Sequence, residues 1–103
     1  MKIQIEYTNL DSTPTILEYI EDKIASLAKF VSRFELESEV LARVEVARTT
    51  HHHHKGDVFR AEINLTLPGK LIRAEDEDFD IRVAIDRMRD KLKREIEKYK
   101  EKN

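Results

Sequence analysis

The chain has 103 residues, of which 40% are apolar and 39% charged, and its formal net charge is −2 at pH 7. This length allows one modest hydrophobic core, so residues 1–103 are predicted to form a single domain. The absence of cysteine excludes disulfides and thiolate chemistry, and no apolar run is long enough for a signal peptide or a membrane span. We therefore expect a cytoplasmic protein with no membrane contact.

The first third of the chain predicts a strand followed by a long helix. Apolar and polar residues alternate over residues 2–7, which is typical of a strand with one buried face. Thr13 is a suitable N-cap, and Pro14 occupies the first helical position, where its missing N–H has no cost. An apolar stripe then continues at helical spacing to residue 34, with fraying expected over residues 32–35.

The middle of the chain predicts three further strands. Residues 40–47 and 59–67 alternate in the same way, and the segment HHHHKGD between them is typical of a hairpin connection. Pro68-Gly69 predicts a tight turn, after which residues 71–74 form a short fourth strand.

The last third predicts an acidic loop that leads into a second long helix. The run EDEDFD suits a loop because carboxylates favour the positive end of a helix dipole. The apolar stripe of the helix is Ile81, Ile85, Met88, Leu92, Ile96 and Tyr99. These elements predict an α+β fold of order β-α-β-β-β-α, in which both helices pack on one face of a four-stranded, antiparallel-rich sheet.

The last helix also carries an ordered pattern of charge. At 100° per residue, two rows of cations border the apolar stripe on opposite sides. One row is Arg87, Lys91, Arg94, Lys98 and Lys102; the other is Arg82, Arg89, Lys93 and Lys100, and the acids Asp86, Asp90, Glu97 and Glu101 fall on the outermost face. A row of cations favours a polyanion such as RNA. The alternative is that long basic side chains only cover the edge of the core and pair with nearby acids.

Four consecutive histidines, His51 to His54, are the other conspicuous feature. Alternate imidazoles could bind zinc, but no nearby pattern completes a ligand set, and we predict no metal site and no cofactor. An exposed hairpin, either inert or touching phosphates, is the preferred interpretation. The chain also lacks a glycine-rich phosphate loop and a nucleophile-elbow serine, so we expect neither an enzyme nor a small-molecule substrate.

Several segments, taken in order, resemble one known family. They are MKIQIEYTNL, TPTILEYIEDKIASLAKF, KGDVFRAEINLTLPGKLIRAE and AIDRMRDKLKREIEKYK. The chain is similar over its whole length to the ribosome hibernation-promoting factors and ribosome-associated translation inhibitors, also called sigma-54 modulation proteins. The resemblance implies a fold like that of double-stranded-RNA-binding domains and a role in ribosome hibernation, under stress and in stationary phase.

The resemblance also implies a partner and a set of binding residues. The partner is the small ribosomal subunit, where such a protein occupies the mRNA and tRNA channel and inhibits translation. The rRNA-binding residues carried over are Lys23, Lys29, Arg87, Lys91, Arg94, Lys98 and Lys100. The alternative function is a protein-interaction module that modulates a transcription factor.

Three positions depart from the family pattern. Arg82 replaces an aromatic residue in a longer entry to the last helix, and Ser26 replaces the middle base of the first-helix pattern. The sequence ends at Asn103, so we expect no C-terminal dimerisation domain.

Overall fold

A four-stranded mixed sheet with the order β1-β2-β3-β4 is the centre of the fold. The computed structural model describes residues 1–49 and 56–102. Its strands are β1 (Lys2–Thr8), β2 (Leu41–Thr49), β3 (Val58–Leu67) and β4 (Lys70–Asp78). β1 runs parallel to β2, whereas β2, β3 and β4 are antiparallel neighbours. A parallel pair needs a long crossover, and the helices between β1 and β2 supply it.

The register of the strands collects their apolar side chains on one face of the sheet. Ile5 is opposite Val44, Val44 is opposite Ile63, and Ile63 is opposite Ala74. Because side chains alternate between faces, the other face is left to charged and polar residues.

The first predicted helix is present but ends earlier than expected. It runs over α1 (Pro14–Ala25), with the Thr13 hydroxyl accepting a hydrogen bond from Ile16 N at 3.2 Å. The Ser26 hydroxyl then donates to Lys23 O at 2.6 Å, a local contact that competes with helical hydrogen bonding. A one-turn helix α2 (Ala28–Val31) and a 3₁₀ helix (Ser32–Leu36) continue the segment. The prediction of one uninterrupted helix was therefore wrong at Ser26.

The acidic run is not the loop that the sequence predicted. β4 continues through residues 75–78, and Asp78 is still paired with Phe59 of β3. Backbone pairing and cations from neighbouring elements override the low strand propensity of aspartate. Only Phe79 and Asp80 connect β4 to the last helix, and Asp80 Oδ1 accepts a hydrogen bond from Arg82 N at 2.9 Å.

The last helix is α3 (Ile81–Lys102), and it packs on the same face of the sheet as α1. Its Tyr99 hydroxyl donates to Pro68 O at 2.7 Å, which ties the helix to the turn between β3 and β4. Gly69 in that predicted turn has φ +72°, the left-handed value that a type II turn requires. The buried residues of α3 are Ala84, Ile85, Met88, Leu92, Ile96 and Tyr99. The α+β class and the element order are confirmed.

Two other expectations remain: the hairpin between β2 and β3, and the absence of a membrane span. The strands pair antiparallel as far as Thr49 and Val58, while His51 to His54 lie outside the described residues. Among the described helices, none combines the length and apolar character needed to cross a bilayer.

Candidate nucleic-acid interface

The seven predicted binding residues lie on two sides of α3. Arg87, Lys91, Arg94 and Lys98 form the flank nearer β4, which we call the β4 row. Lys23 and Lys29 belong to α1 and α2, and they meet the opposite flank of α3 together with Lys100, Lys93 and Arg89. We call this second surface the α1 groove.

Half of the β4 row has internal counter-ions. Lys91 Nζ is 2.9 Å from Asp76 Oδ2 and donates to Glu75 O at 2.9 Å, and Arg87 Nη1 is 3.3 Å from Asp78 Oδ1. The side chain of Asp76 is only 13% exposed, so its charge requires a partner. Lys91 and Arg87 therefore have a structural role, although both remain more than 40% exposed.

The other half of the β4 row is more open. Arg94 makes no ion pair with any residue of the described ranges 1–49 and 56–102. Lys98 approaches Glu95 at 3.4 Å, one turn away on an exposed surface, and is itself 69% exposed. Such exposed pairs contribute about 0–1 kcal/mol, so this pair leaves Lys98 able to bind another anion.

The start of the α1 groove contains a tyrosine, a lysine and an aspartate in contact. The Tyr19 hydroxyl donates to Asp86 Oδ1 at 2.5 Å, and Lys23 Nζ lies 3.2 Å from the same oxygen. The hydrogen bond to Asp86 raises the pKa of both Tyr19 and Lys23, and burial also contributes to the rise at Tyr19. The prediction that Asp86 lies on the outermost face of α3 was wrong, because Asp86 faces α1 across the groove.

The far end of the α1 groove is built around Phe30. The ammonium groups of Lys29, Lys93 and Lys100 lie 5.2, 5.3 and 5.8 Å from the centroid of its ring. Arg33 is next to this cluster, with its guanidinium 4.7 Å from the centroid of the Phe34 ring. These contacts bring Lys29 and Lys100 together, as members of one surface.

The predicted set of binding residues lacks four basic residues of this groove. They are Arg33, Arg82, Arg89 and Lys93; Arg89 donates to the Ser26 hydroxyl from two nitrogens at 3.1 and 3.2 Å, and the Arg82 guanidinium lies 5.4 Å from the centroid of the Tyr19 ring. The sequence gave a signal for three of them, because Arg82, Arg89 and Lys93 belong to the second row predicted by helical spacing. Arg33 gave no such signal because it lies in the 3₁₀ helix, beyond the break at Ser26.

The outer face of the sheet has a different, nearly balanced charge pattern. Arg60 contacts Glu45 and Glu62 at 3.0 Å each, and Arg73 contacts Glu62 and Glu75 at 3.1 Å each. Since these cations are neutralised by neighbouring carboxylates, this face offers little attraction to phosphate. Within the described part of the chain, no group of three or more potential ligands could hold a metal ion.

Comparisons with known proteins identify relatives over the whole described fold. A family model described as sigma 54 modulation protein / S30EA ribosomal protein matches residues 3–103. The ribosome hibernation promotion factor of Picosynechococcus sp. is 33% identical over 104 residues, which cover 100% of this chain and 51% of the relative. The ribosome hibernation promotion factor of Lactococcus lactis subsp. cremoris is 37% identical over 102 residues, which cover 97% of this chain and 50% of the relative. The chain thus spans about half the length of these curated relatives.

Solved structures give the same comparison at the level of the fold. The N-terminal domain of Protein Y from Thermus thermophilus superposes with a TM-score of 0.77 at 34% identity, covering 96% of this chain and 99% of that one. A ribosomal subunit interface protein from Coxiella burnetii also superposes with a TM-score of 0.77, at 22% identity, and the match covers 97% of this chain and 98% of that one. Because its identity to this chain is only 22%, the Coxiella burnetii structure supports the fold alone.

Proposed function

Because this chain belongs to the family described as sigma 54 modulation protein / S30EA ribosomal protein, we propose that it is a ribosome-binding hibernation factor that inhibits translation without catalysing a reaction. Its partner is the small ribosomal subunit, and its site is the channel that mRNA and tRNA otherwise occupy. It acts in the cytoplasm, during stress and in stationary phase.

The proposal assigns rRNA contact to the helix side of the molecule. The binding residues are Lys23, Lys29, Arg87, Lys91, Arg94, Lys98 and Lys100. The observation that carries the proposal is that Lys29, Arg94 and Lys100 make no ion pair with any residue of the described ranges, and Lys98 makes only a weak one. Cations without internal counter-ions are free to neutralise RNA phosphates.

The internal pairs also refine how the seven residues act. Arg87 and Lys91 are held against β4 by Asp78 and Asp76, which neutralise part of their charge, so these two cations attract phosphate less than the unpaired ones do. Phosphate contacts orient a protein on RNA without reading the base sequence. Selectivity for the ribosome then comes from the shape of the site and not from base contacts.

The test is a matched pair of double charge reversals. We expect Arg94→Glu with Lys98→Glu to abolish co-sedimentation with small subunits in a sucrose gradient, because the reversal replaces two attractions to phosphate with two repulsions. Lys91 is left unchanged because a carboxylate at that position would face Asp76 and endanger folding. The control, Lys2→Glu with Arg43→Glu, makes the same charge change at exposed positions on the outer face of the sheet.

Equal binding by the two double variants would contradict the assigned surface. A pull-down repeated after ribonuclease treatment tests the other function, a protein-interaction module that modulates a transcription factor. A protein partner that persists without RNA would favour that function, whereas loss of all ribosomal components supports ours.

A further inference from the structure

The strand β1 forms an open edge of the sheet. Its only sheet neighbour within the described residues is β2, because the order of the strands is β1-β2-β3-β4. Lys2 N donates to Val40 O at 2.9 Å, so Lys2 directs its backbone polar groups toward β2. Successive residues of a strand direct these groups to alternate sides, and those of Ile3, Ile5 and Tyr7 therefore face outward from the sheet. An edge of this kind can accept a further strand.

The opposite edge of the sheet, β4, is better protected against strand addition. Lys91 Nζ donates to the backbone carbonyl of Glu75 at 2.9 Å and lies 2.9 Å from Asp76 Oδ2, so a side chain of α3 covers part of this strand. The acidic run of β4 also repels a second strand of the same charge. β1 has neither protection, since its sequence KIQIEYT contains no proline and no run of like charges.

The inner-face side chains of β1 are less well covered than those of β2. On β2, Ala42, Val44 and Val46 are at most 2% exposed. On β1, Ile3 and Ile5 pack against the core but are only partly buried. Burial of apolar surface is the main favourable term in protein association. A strand added alongside β1 would cover these two isoleucines.

The charged side chains of β1 lie on the outer face and have no internal partners. Lys2 and Glu6 are exposed, and neither makes an ion pair with another described residue. Glu6 lies beside Glu45 in the register of β1 and β2, and Glu45 is already paired with Arg60 at 3.0 Å. The strand thus carries one unpaired cation and one unpaired anion, with Gln4 midway between them.

We infer that β1 is an interface between two copies of this chain, which pair antiparallel with Gln4 opposite Gln4 of the second copy. In this register Lys2 is opposite Glu6 of the second copy, and the symmetric pair forms as well, so both charges are neutralised. Ile3 is opposite Ile5, and both direct their backbone groups toward the interface, as antiparallel pairing requires. The neighbouring registers, displaced by two residues in either direction, pair neither charge with an opposite one.

The dimer has a two-fold axis at Gln4. This axis joins the two four-stranded sheets into one, with the helices of both copies on the same face. Because only a short strand of each copy is in contact, the interface is small, and we expect a dissociation constant on the order of 0.1 mM. None of the proposed rRNA-binding residues belongs to β1, so the dimer does not rest on the proposed function.

The first test is disulfide trapping in the full chain, which has no cysteine of its own. Opposite residues in a non-hydrogen-bonded antiparallel pair have Cα atoms about 4.5 Å apart, within the range of about 4.4–6.8 Å that a disulfide spans. Gln4→Cys should therefore give a covalent dimer in air-saturated buffer. In the control Glu6→Cys the two thiols are about 13 Å apart along the paired strands, so this variant should remain largely monomeric over the same period. Equal yields of dimer would overturn the register.

The second test is sedimentation equilibrium from about 0.02 to about 2 mM, a range that brackets the expected dissociation constant. Glu6→Lys should raise this constant about tenfold or more, because two attractions become two repulsions. Adding Lys2→Glu to that variant exchanges the two charges and should restore the constant to within about threefold of the wild type. A wild-type chain that stays monomeric, oligomers larger than a dimer, or a double variant that does not recover would each overturn the proposal.

Discussion

The basic side chains of α3 differ in surroundings although they are similar in sequence. Lys91 contacts a mostly buried aspartate, Lys98 a weakly held glutamate, and Lys93 an aromatic ring. Helical spacing correctly placed these residues on two flanks, but it gave no sign of the acids on β4. The pairing of Lys91 with Asp76 joins residues on two different elements, α3 and β4, so it depends on tertiary packing that a helical wheel does not contain.

Glu62, on the outer face of the sheet, gives a pH prediction. Burial alone would raise the pKa of this carboxyl, but hydrogen bonds from Asn64 and Arg73 and the charges of Arg73 and Arg60 outweigh it, so the pKa is lowered. A lowered pKa in the folded state means that the carboxylate stabilises the fold above its unfolded pKa, about 4.3, and loses this effect as the pH falls through the folded value.

Glu62→Gln should therefore make the free energy of unfolding less dependent on pH. We expect the free energy of unfolding, measured in urea at pH 7 and pH 3, to differ less in this variant than in the wild type. Glu6→Gln is the control, since Glu6 is an exposed carboxylate on β1 with no ion pair in the described part of the chain. If the two variants lose equal stability between pH 7 and pH 3, the contribution assigned to Glu62 is absent.

At the scale of the elements, alternation and helical spacing predicted where strands and helices occur, but not all of their ends. β4 is longer than expected because residues 75–78 find hydrogen-bonding partners on β3, and Phe79 is the first residue beyond it. The first helix ends earlier than expected at Ser26, where the hydroxyl donates to Lys23 O and the next amide, Leu27 N, donates to Ile24 O. At both boundaries the periodic pattern of apolar residues did not contain the contacts that are found there.

The apolar stripe of α3 allows a prediction of stability. Leu92 is 1% exposed, and Leu92→Ala should lower the free energy of unfolding in urea by roughly 2–5 kcal/mol through lost burial and the cavity left behind. Leu71→Ala is a matched control on β4, because Leu71 is 60% exposed and its truncation should change stability by about 0.5 kcal/mol or less. Similar losses in both variants would mean that α3 is not packed on the sheet in solution.

For the whole molecule, the net charge of −2 hides a separation of charge between surfaces. On the outer face of the sheet the charges balance one another in ion pairs. The helix side, in contrast, exposes cations that have no acidic partner among the described residues. An acidic protein with this distribution can still be attracted to RNA at close range, where individual contacts matter more than the total charge. Net charge alone would have pointed to the opposite conclusion.

This separation predicts a strong effect of salt on the binding to small subunits that we propose. With about four phosphate contacts, raising NaCl from about 50 to about 200 mM should weaken binding roughly 50- to 150-fold. Fluorescence anisotropy of the labelled protein with purified subunits measures this directly. Affinity that does not change over that range would mean that the helix side does not contact phosphates.

The parallel pairing of β1 with β2 joins strands that are distant along the chain. Thr8 is opposite Ala47, so β1 pairs with a segment 39 residues farther along the sequence. Strands β2, β3 and β4 are antiparallel and pair with segments close to them in the chain, which form contacts quickly. The β1-β2 pair therefore closes the longest loop in the sheet, and we expect it to form more slowly than the antiparallel pairs β2-β3 and β3-β4.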